Sequence, residues 1–144
     1  MSQLLISQQA QGVLRLTLNR PESKNALNRP LYAALSEALA QADEDSAVQV
    51  VVIDGAGDSF CAGNDLQDFL VADDPLAASR RLFKILTAFS KPLVAKVQGH
   101  AVGIGTTLLL HCDLVLCQEE ARFLLPFTRL GWCRKAAVVC CCRS

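Results

Sequence analysis

The sequence has little surplus charge of either sign. Its fourteen basic residues are matched by fourteen acidic ones among 144, and neither sign gathers into a block. The electrostatic footprint of a nucleic-acid or anionic-membrane binder is therefore missing. Met1-Ser2-Gln3 lacks the basic stretch and apolar run of a secretory leader, and no apolar run is long and uninterrupted enough to span a bilayer. These absences predict a cytoplasmic protein with no nucleic-acid or membrane partner. There are only two histidines, no histidine pair and no Cys-x-x-Cys, and four of the seven cysteines (Cys133, Cys140, Cys141, Cys142) fall in the last twelve residues. That spacing predicts no metal site, and without a leader a disulfide framework is not expected.

What is present is core-forming material, 51% hydrophobic and 19% charged, enough for one domain. Gln3 to Gln8 and Val13 to Asn19 read as a hairpin around Ala10-Gln11-Gly12. Asn28 is placed to cap a helix with Pro30 in its first turn and an apolar stripe of Leu31, Ala34, Leu35, Ala38, Leu39 and Ala42. Val48 to Ile53 and Leu93 to Val97 read as strands covered on both faces. Helices are expected at Asp65 to Val71, Pro75 to Ser90 and Ile104 to about His111, and further strands at Asp113 to Cys117 and Ala121 to Leu125. Strand-strand-helix at intervals of roughly forty residues predicts an α/β domain of ββα units.

Two glycine-flanked turns stand out, Phe60-Cys61-Ala62-Gly63-Asn64-Asp65-Leu66 and Gly99-His100-Ala101-Val102-Gly103-Ile104-Gly105. Each lies between an extended apolar run and a helical segment, so each leaves main-chain N–H groups without intrahelical partners. Brought together, two such turns can aim two donors at one carbonyl oxygen. The glycines can also serve only to permit tight turns. A nucleotide loop is disfavoured, because Gly103-Ile104-Gly105 lacks the third glycine of the dinucleotide fingerprint and no Lys-Ser or Lys-Thr follows.

These turns, with Asn19-Arg20-Pro21-Glu22, Asn25-Ala26-Leu27-Asn28, Lys91-Pro92 and Cys112-Asp113, resemble the motifs of the enoyl-CoA hydratase/isomerase (crotonase) family in order and in register over residues 3 to about 131. The resemblance implies a crotonase-like spiral of ββα units, usually trimeric, acting on an acyl-CoA thioester. No cofactor is implied beyond the coenzyme A of the substrate. By position, the main-chain N–H groups of Asn64 and Ile104 form the oxyanion hole. Lys24, Ala26, Ala62, Asp65 and Leu66 match positions lining the coenzyme A pocket, with Gly63, Gly103 and Gly105 shaping it. Asp65 can equally be the cap of the following helix.

The resemblance also places the proton-transfer carboxylates. The hydratase glutamate three residues after the second oxyanion N–H is Thr107 here, which disfavours hydration. The other position follows a Leu-Gly matching Leu130-Gly131, where this chain reads Trp132-Cys133-Arg134-Lys135. The pattern is closest to the Δ3,Δ2-enoyl-CoA isomerase branch, with its base missing. Read one base earlier, residues 134–143 permit Pro-Glu-Gly, three Gly or Ser, three Leu and Pro, the family's continuation. This predicts a frameshift near Trp132, dividing the chain into a partial domain at 1–131 and an aberrant tail at 132–144; a cysteine-rich terminus with redox or palmitoylation meaning is the alternative. On this reading the trimer helices are absent, and Leu108, Leu109, Leu110, Val115, Leu116 and Phe123 lose cover, predicting a poorly soluble, partly disordered, inactive chain. Asp68 is the substitute base the sequence offers, against a solvated helix face. Cys61 could be a nucleophile only with a histidine partner, and His100 reads as a turn residue. A non-catalytic acyl-CoA-binding fragment or subunit modulator is the rival function.

Overall fold

The computed structural model describes residues 4–71 and 73–126, without the side chain of Phe69. The expected tail at 132–144 lies outside the described residues.

Strands β1 (Leu5–Ala10) and β2 (Val13–Leu18) form the expected antiparallel hairpin, and β3 (Val50–Gly55), β4 (Leu93–Val97) and β6 (Leu114–Cys117) extend it in parallel, in the order β1-β2-β3-β4-β6. Period-two alternation sets β2: Leu14, Leu16 and Leu18 face the core, while Val13 and Arg15 face outward. In β3, Val51, Ile53 and Asp54 are all buried. The parallel register sets Thr17 opposite Asp54, whose carboxylate accepts from Thr17 Oγ1 at 2.6 Å and from Arg15 Nε at 2.7 Å, so the buried charge is paired.

Between β2 and β3 runs α1 (Arg29–Glu44). Asn28 caps it through Oδ1, which accepts from the Leu31 N–H at 3.0 Å, and proline occupies its first turn. Leu31, Leu35, Leu39 and Ala42 are buried as the stripe predicts, and Tyr32 and Ser36 go inside with them. Lys91 explains the Lys-Pro pair structurally. Its Nζ donates to the carbonyls of Ala42 (2.6 Å) and Asp45 (2.5 Å), placing a cation at the C-terminal end of α1.

Helix α2 (Leu66–Val71) starts one residue later than expected. Helix α3 (Ala77–Ala88) is shorter at both ends than the expected 75–90, and α4 (Ile104–Leu109) stops before His111. The second glycine turn also contains a strand the sequence did not announce, β5 (His100–Val102), paired in parallel with β7 (Arg122–Leu124). Three residues are too few for a period-two signal. β5 belongs to a second, shorter ladder that brings Leu27, Cys61–Asn64, β5 and β7 side by side through bridges from Leu27 to Asn64 and Cys61 to Ala101. Each long parallel strand is thus followed by one short segment of this second ladder, the repeated ββα arrangement.

Not every apolar residue expected to lose its cover does so. Leu108 and Leu109 are buried on the inner face of α4, whereas Leu110, Leu116 and Phe123 are 44%, 52% and 43% exposed. Leu110 follows the end of α4, and Leu116 and Phe123 lie on the short strands β6 and β7.

Gly105 is where helix and ladder meet. A Cβ there would stand 2.7 Å from the Cys61 carbonyl oxygen and 2.9 Å from its Cβ. Helix propensity alone would make Gly105→Ala stabilising by about 1 kcal/mol. Both clashing atoms belong to a paired strand that cannot withdraw cheaply, and overpacking costs about 1–3 kcal/mol. Gly105→Ala is therefore expected to lower the urea midpoint with an unchanged m-value, whereas a raised midpoint would show that α4 lifts freely from Cys61.

Candidate active site

The short ladder carries the two turns to one place. Leu27 N–H donates to the Gly63 carbonyl at 2.7 Å, and Asp65 N–H returns to the Leu27 carbonyl at 3.0 Å. Because every described peptide is trans, the N–H of Asn64 must point away from the Gly63 carbonyl, hence away from Leu27. The second turn repeats the arrangement. The Gly103 carbonyl accepts from Thr106 and Thr107 at 3.0 Å each, inside α4, so the N–H of Ile104 points out of the helix start. Gly103 makes this turn at φ 56° and ψ −115°, and Gly63 sits at φ 100°, both conformations that favour glycine. Among the described residues, neither the Asn64 nor the Ile104 N–H has a main-chain acceptor.

Both residues line one cavity of about 540 Å³. Of the other positions singled out from the sequence, Ala26, Ala62, Gly63, Asp65, Leu66 and Gly103 line it too. Lys24 and Gly105 do not. Lys24, at φ 51°, contributes its carbonyl, which accepts from the Ala62 N–H at 2.9 Å, and Gly105 packs on Cys61. Asn25 holds this loop in place: fully buried, it donates through Nδ2 to the carbonyls of Ala56 and Ser59 at 2.8 Å each, and its Oδ1 accepts from the Arg20 N–H.

Two residues bearing on the cavity had no assigned role in the sequence reading. Arg20, in the Asn-Arg-Pro motif, donates through Nη1 to the Ala26 carbonyl at 2.6 Å and pairs through Nη2 with Asp65 Oδ2 at 3.0 Å. The other is Tyr32, whose hydroxyl donates to the Asn64 side-chain oxygen. Its signal was its type: a buried tyrosine on an otherwise apolar stripe needs a partner for its hydroxyl.

Asp65 is the cap the sequence allowed, and it also faces the cavity. Its Oδ1 accepts from the Gln67 N–H at 3.0 Å, capping α2, while the residue lines the cavity. Burial pushes its carboxyl up, but the Arg20 hydrogen bond, the Gln67 N–H, the Arg20 charge and the Asp68 N–H outweigh it and hold the group below the usual carboxylate range.

The groups nominated for proton or nucleophile chemistry stand elsewhere. Asp68 does not line the cavity; its carboxylate accepts from the Arg29 N–H at the start of α1. Thr107 is fully buried and donates from Oγ1 to the Ile104 carbonyl at 3.1 Å within its own helix. Cys61 is buried, its thiol pushed up to about 12 by burial, so it is no nucleophile at neutral pH. His100 lies in β5, its carbonyl accepting from the N–H groups of Phe60 and Cys61. Positions 132–135 lie outside the described residues. Among the described residues no cluster of three histidine, cysteine or acidic side chains could hold a metal, and no helix is long and apolar enough to cross a membrane.

The Arg20–Asp65 pair gives a pH signature. Asp65→Asn keeps the cap and removes the charge, and is expected to cost about 1–2 kcal/mol at pH 7. A carboxyl depressed in the folded state stabilises fully above its unfolded value of roughly 3.9 and loses that contribution as pH falls through its folded value. The difference between wild type and variant in urea unfolding should be flat from pH 7 to 5 and close below that; a difference persisting in strong acid would assign the effect to packing.

The arrangement has counterparts among known proteins. The sequence pattern of the family described as enoyl-CoA hydratase/isomerase matches residues 8–142. The chain is 46% identical over 136 residues to the 2,3-dehydroadipyl-CoA hydratase of Escherichia coli K12, covering 91% of this chain and 52% of that protein. It is 38% identical over 128 residues to the enoyl-CoA delta isomerase 2 of Rattus norvegicus, covering 83% of this chain and 32% of the relative. The solved enoyl-CoA hydratase of Mycobacterium smegmatis superposes with a TM-score of 0.90 at 32% identity, over 99% of this chain and 58% of its own. The chain spans about half the length of the hydratase it matches. On sequence and architecture together, this chain belongs to the enoyl-CoA hydratase/isomerase family.

Proposed function

We propose that this chain binds acyl-CoA thioesters and holds the thioester oxygen between the main-chain N–H groups of Asn64 and Ile104. The observation that carries this reading is that, among the described residues, both N–H groups lack a main-chain acceptor and both residues line the same cavity. When a proton leaves the carbon next to a thioester, charge develops on the carbonyl oxygen, and two fixed donors stabilise that enolate more than the ground state. The walls support a coenzyme A partner through Ala26, Ala62, Asp65 and Leu66, with Lys24 behind them setting the loop through its carbonyl. By descent the reaction is the Δ3,Δ2 isomerisation of an enoyl-CoA rather than hydration, since Thr107 occupies the hydratase position and is turned into its own helix.

Proton transfer is the missing half. Among the described residues the one carboxylate lining the cavity, Asp65, is committed to Arg20 and to the cap of α2. A base so engaged and so acidic is poorly matched to a proton on carbon. This chain alone therefore binds and polarises without turnover, which also favours the rival reading of a non-catalytic acyl-CoA-binding protein. The frameshift reading accounts for the lost glutamate and predicts Pro-Glu-Gly one base earlier at codon 134 of the gene.

Ile104→Pro separates the donor from the fold. Proline suits the first position of a helix and removes that N–H without costing α4 a hydrogen bond, though it also removes the isoleucine side chain. Ile104→Ala controls for the lost side chain. With a bound, carbonyl-labelled acyl-CoA, the thioester stretch is expected to fall in frequency in wild type and Ile104→Ala and to return toward its solution value in Ile104→Pro. Turnover of a 3-enoyl-CoA should be undetectable in all three. Bound ligand with an unshifted carbonyl would contradict the reading, and turnover abolished by Asp68→Asn would make Asp68 the base.

A further inference from the structure

We infer that Tyr32 is a positioning residue for the oxyanion hole, clamping Asn64 so that its main-chain N–H keeps one direction; this rests on the function proposed above. Tyr32 is 5% exposed, in the first turns of α1, and its hydroxyl donates to Oδ1 of Asn64. The same stretch holds residue 64 a second time. Leu27, five residues earlier, takes the Gly63 carbonyl with its N–H and gives its own carbonyl to Asp65.

The backbone grip alone fixes the peptides on either side of Asn64 only through hydrogen bonds to one residue, Leu27. Rotation about that contact remains the soft motion, and it would swing the Asn64 N–H across the cavity. The tyrosine contact opposes it from a different element. Its anchor is rigid, because α1 is capped by Asn28, packed through Leu31 and Leu35, and closed at its far end by Lys91. Burial keeps the hydroxyl protonated, so it remains a donor throughout the working pH range. A donor aimed at developing charge must be held within roughly 0.5 Å and 10–20°. The second tether supplies that tolerance for Asn64. For Ile104 the hydrogen bonds of α4 to the Gly103 carbonyl do the same work.

Tyr32→Phe keeps the ring in the core and removes only the donor. In 15N relaxation of the ligand-free chain, the order parameter of the residue 64 amide should fall from about 0.85 to below about 0.6, while those of Leu27 and Ile104 stay. Asn64→Ala, which keeps the main chain and removes the acceptor, should loosen the same amide equally, and the double variant should add nothing. An unchanged amide in Tyr32→Phe, or additive losses in the double variant, would overturn the clamp. With a bound acyl-CoA, Tyr32→Phe should lose at least half of the carbonyl shift at nearly unchanged affinity. A rigid residue 64 amide that loosens in Tyr32→Phe, in a chain whose bound thioester shows no shift, would uphold the clamp and sink the oxyanion assignment alone.

Discussion

A trans peptide cannot present its carbonyl and its N–H to the same side. The site depends on that rule twice. The Gly63 carbonyl is taken by Leu27 and the Gly103 carbonyl by the interior of α4, so the N–H groups of Asn64 and Ile104 are left facing the other way. One is turned by a strand-like pairing and the other by a helix start, yet both line one cavity because the short ladder sets Cys61 beside Ala101. Nothing in this depends on which side chains follow the glycines. What the two turns share is backbone direction, and the side chains around them hold that direction in place.

This explains where the polar contacts are concentrated. Asn25, Arg20 and Asp65 bind the loop before α1 to the turn after β3 and to the cap of α2. Each is buried or half-buried, where a satisfied polar group adds rigidity and an unsatisfied one would be costly. The Asn19-Arg20-Pro21 and Asn25-Ala26-Leu27-Asn28 motifs thus mark a brace around the first donor. Gly105 performs the corresponding task for the second by letting α4 rest directly on Cys61.

Much of the fold was legible because local patterns and tertiary structure agree. The helix capped by Asn28, the hairpin around Gln11-Gly12 and the strand at Leu93–Val97 all follow from period, cap and turn chemistry. The short strand β5 was not, since its pairing with β7 comes from sequence twenty residues away. The two turns were legible as glycine turns ahead of helices, but their shared cavity is a tertiary fact. Asp68 shows the limit from the other side: three residues from a site residue in sequence, it is drawn to the start of α1 by an unpaired N–H. Tyr32 escaped notice because a stripe of leucines and alanines reads as packing, and its one polar atom matters only once Asn64 is beside it.

The central claim is a distance. In a structure of this chain with an acyl-CoA bound, the thioester oxygen should lie 2.7–3.1 Å from both the Asn64 and the Ile104 main-chain nitrogens. A thioester oxygen seated in the cavity but within reach of only one of them, or of neither, would contradict the account.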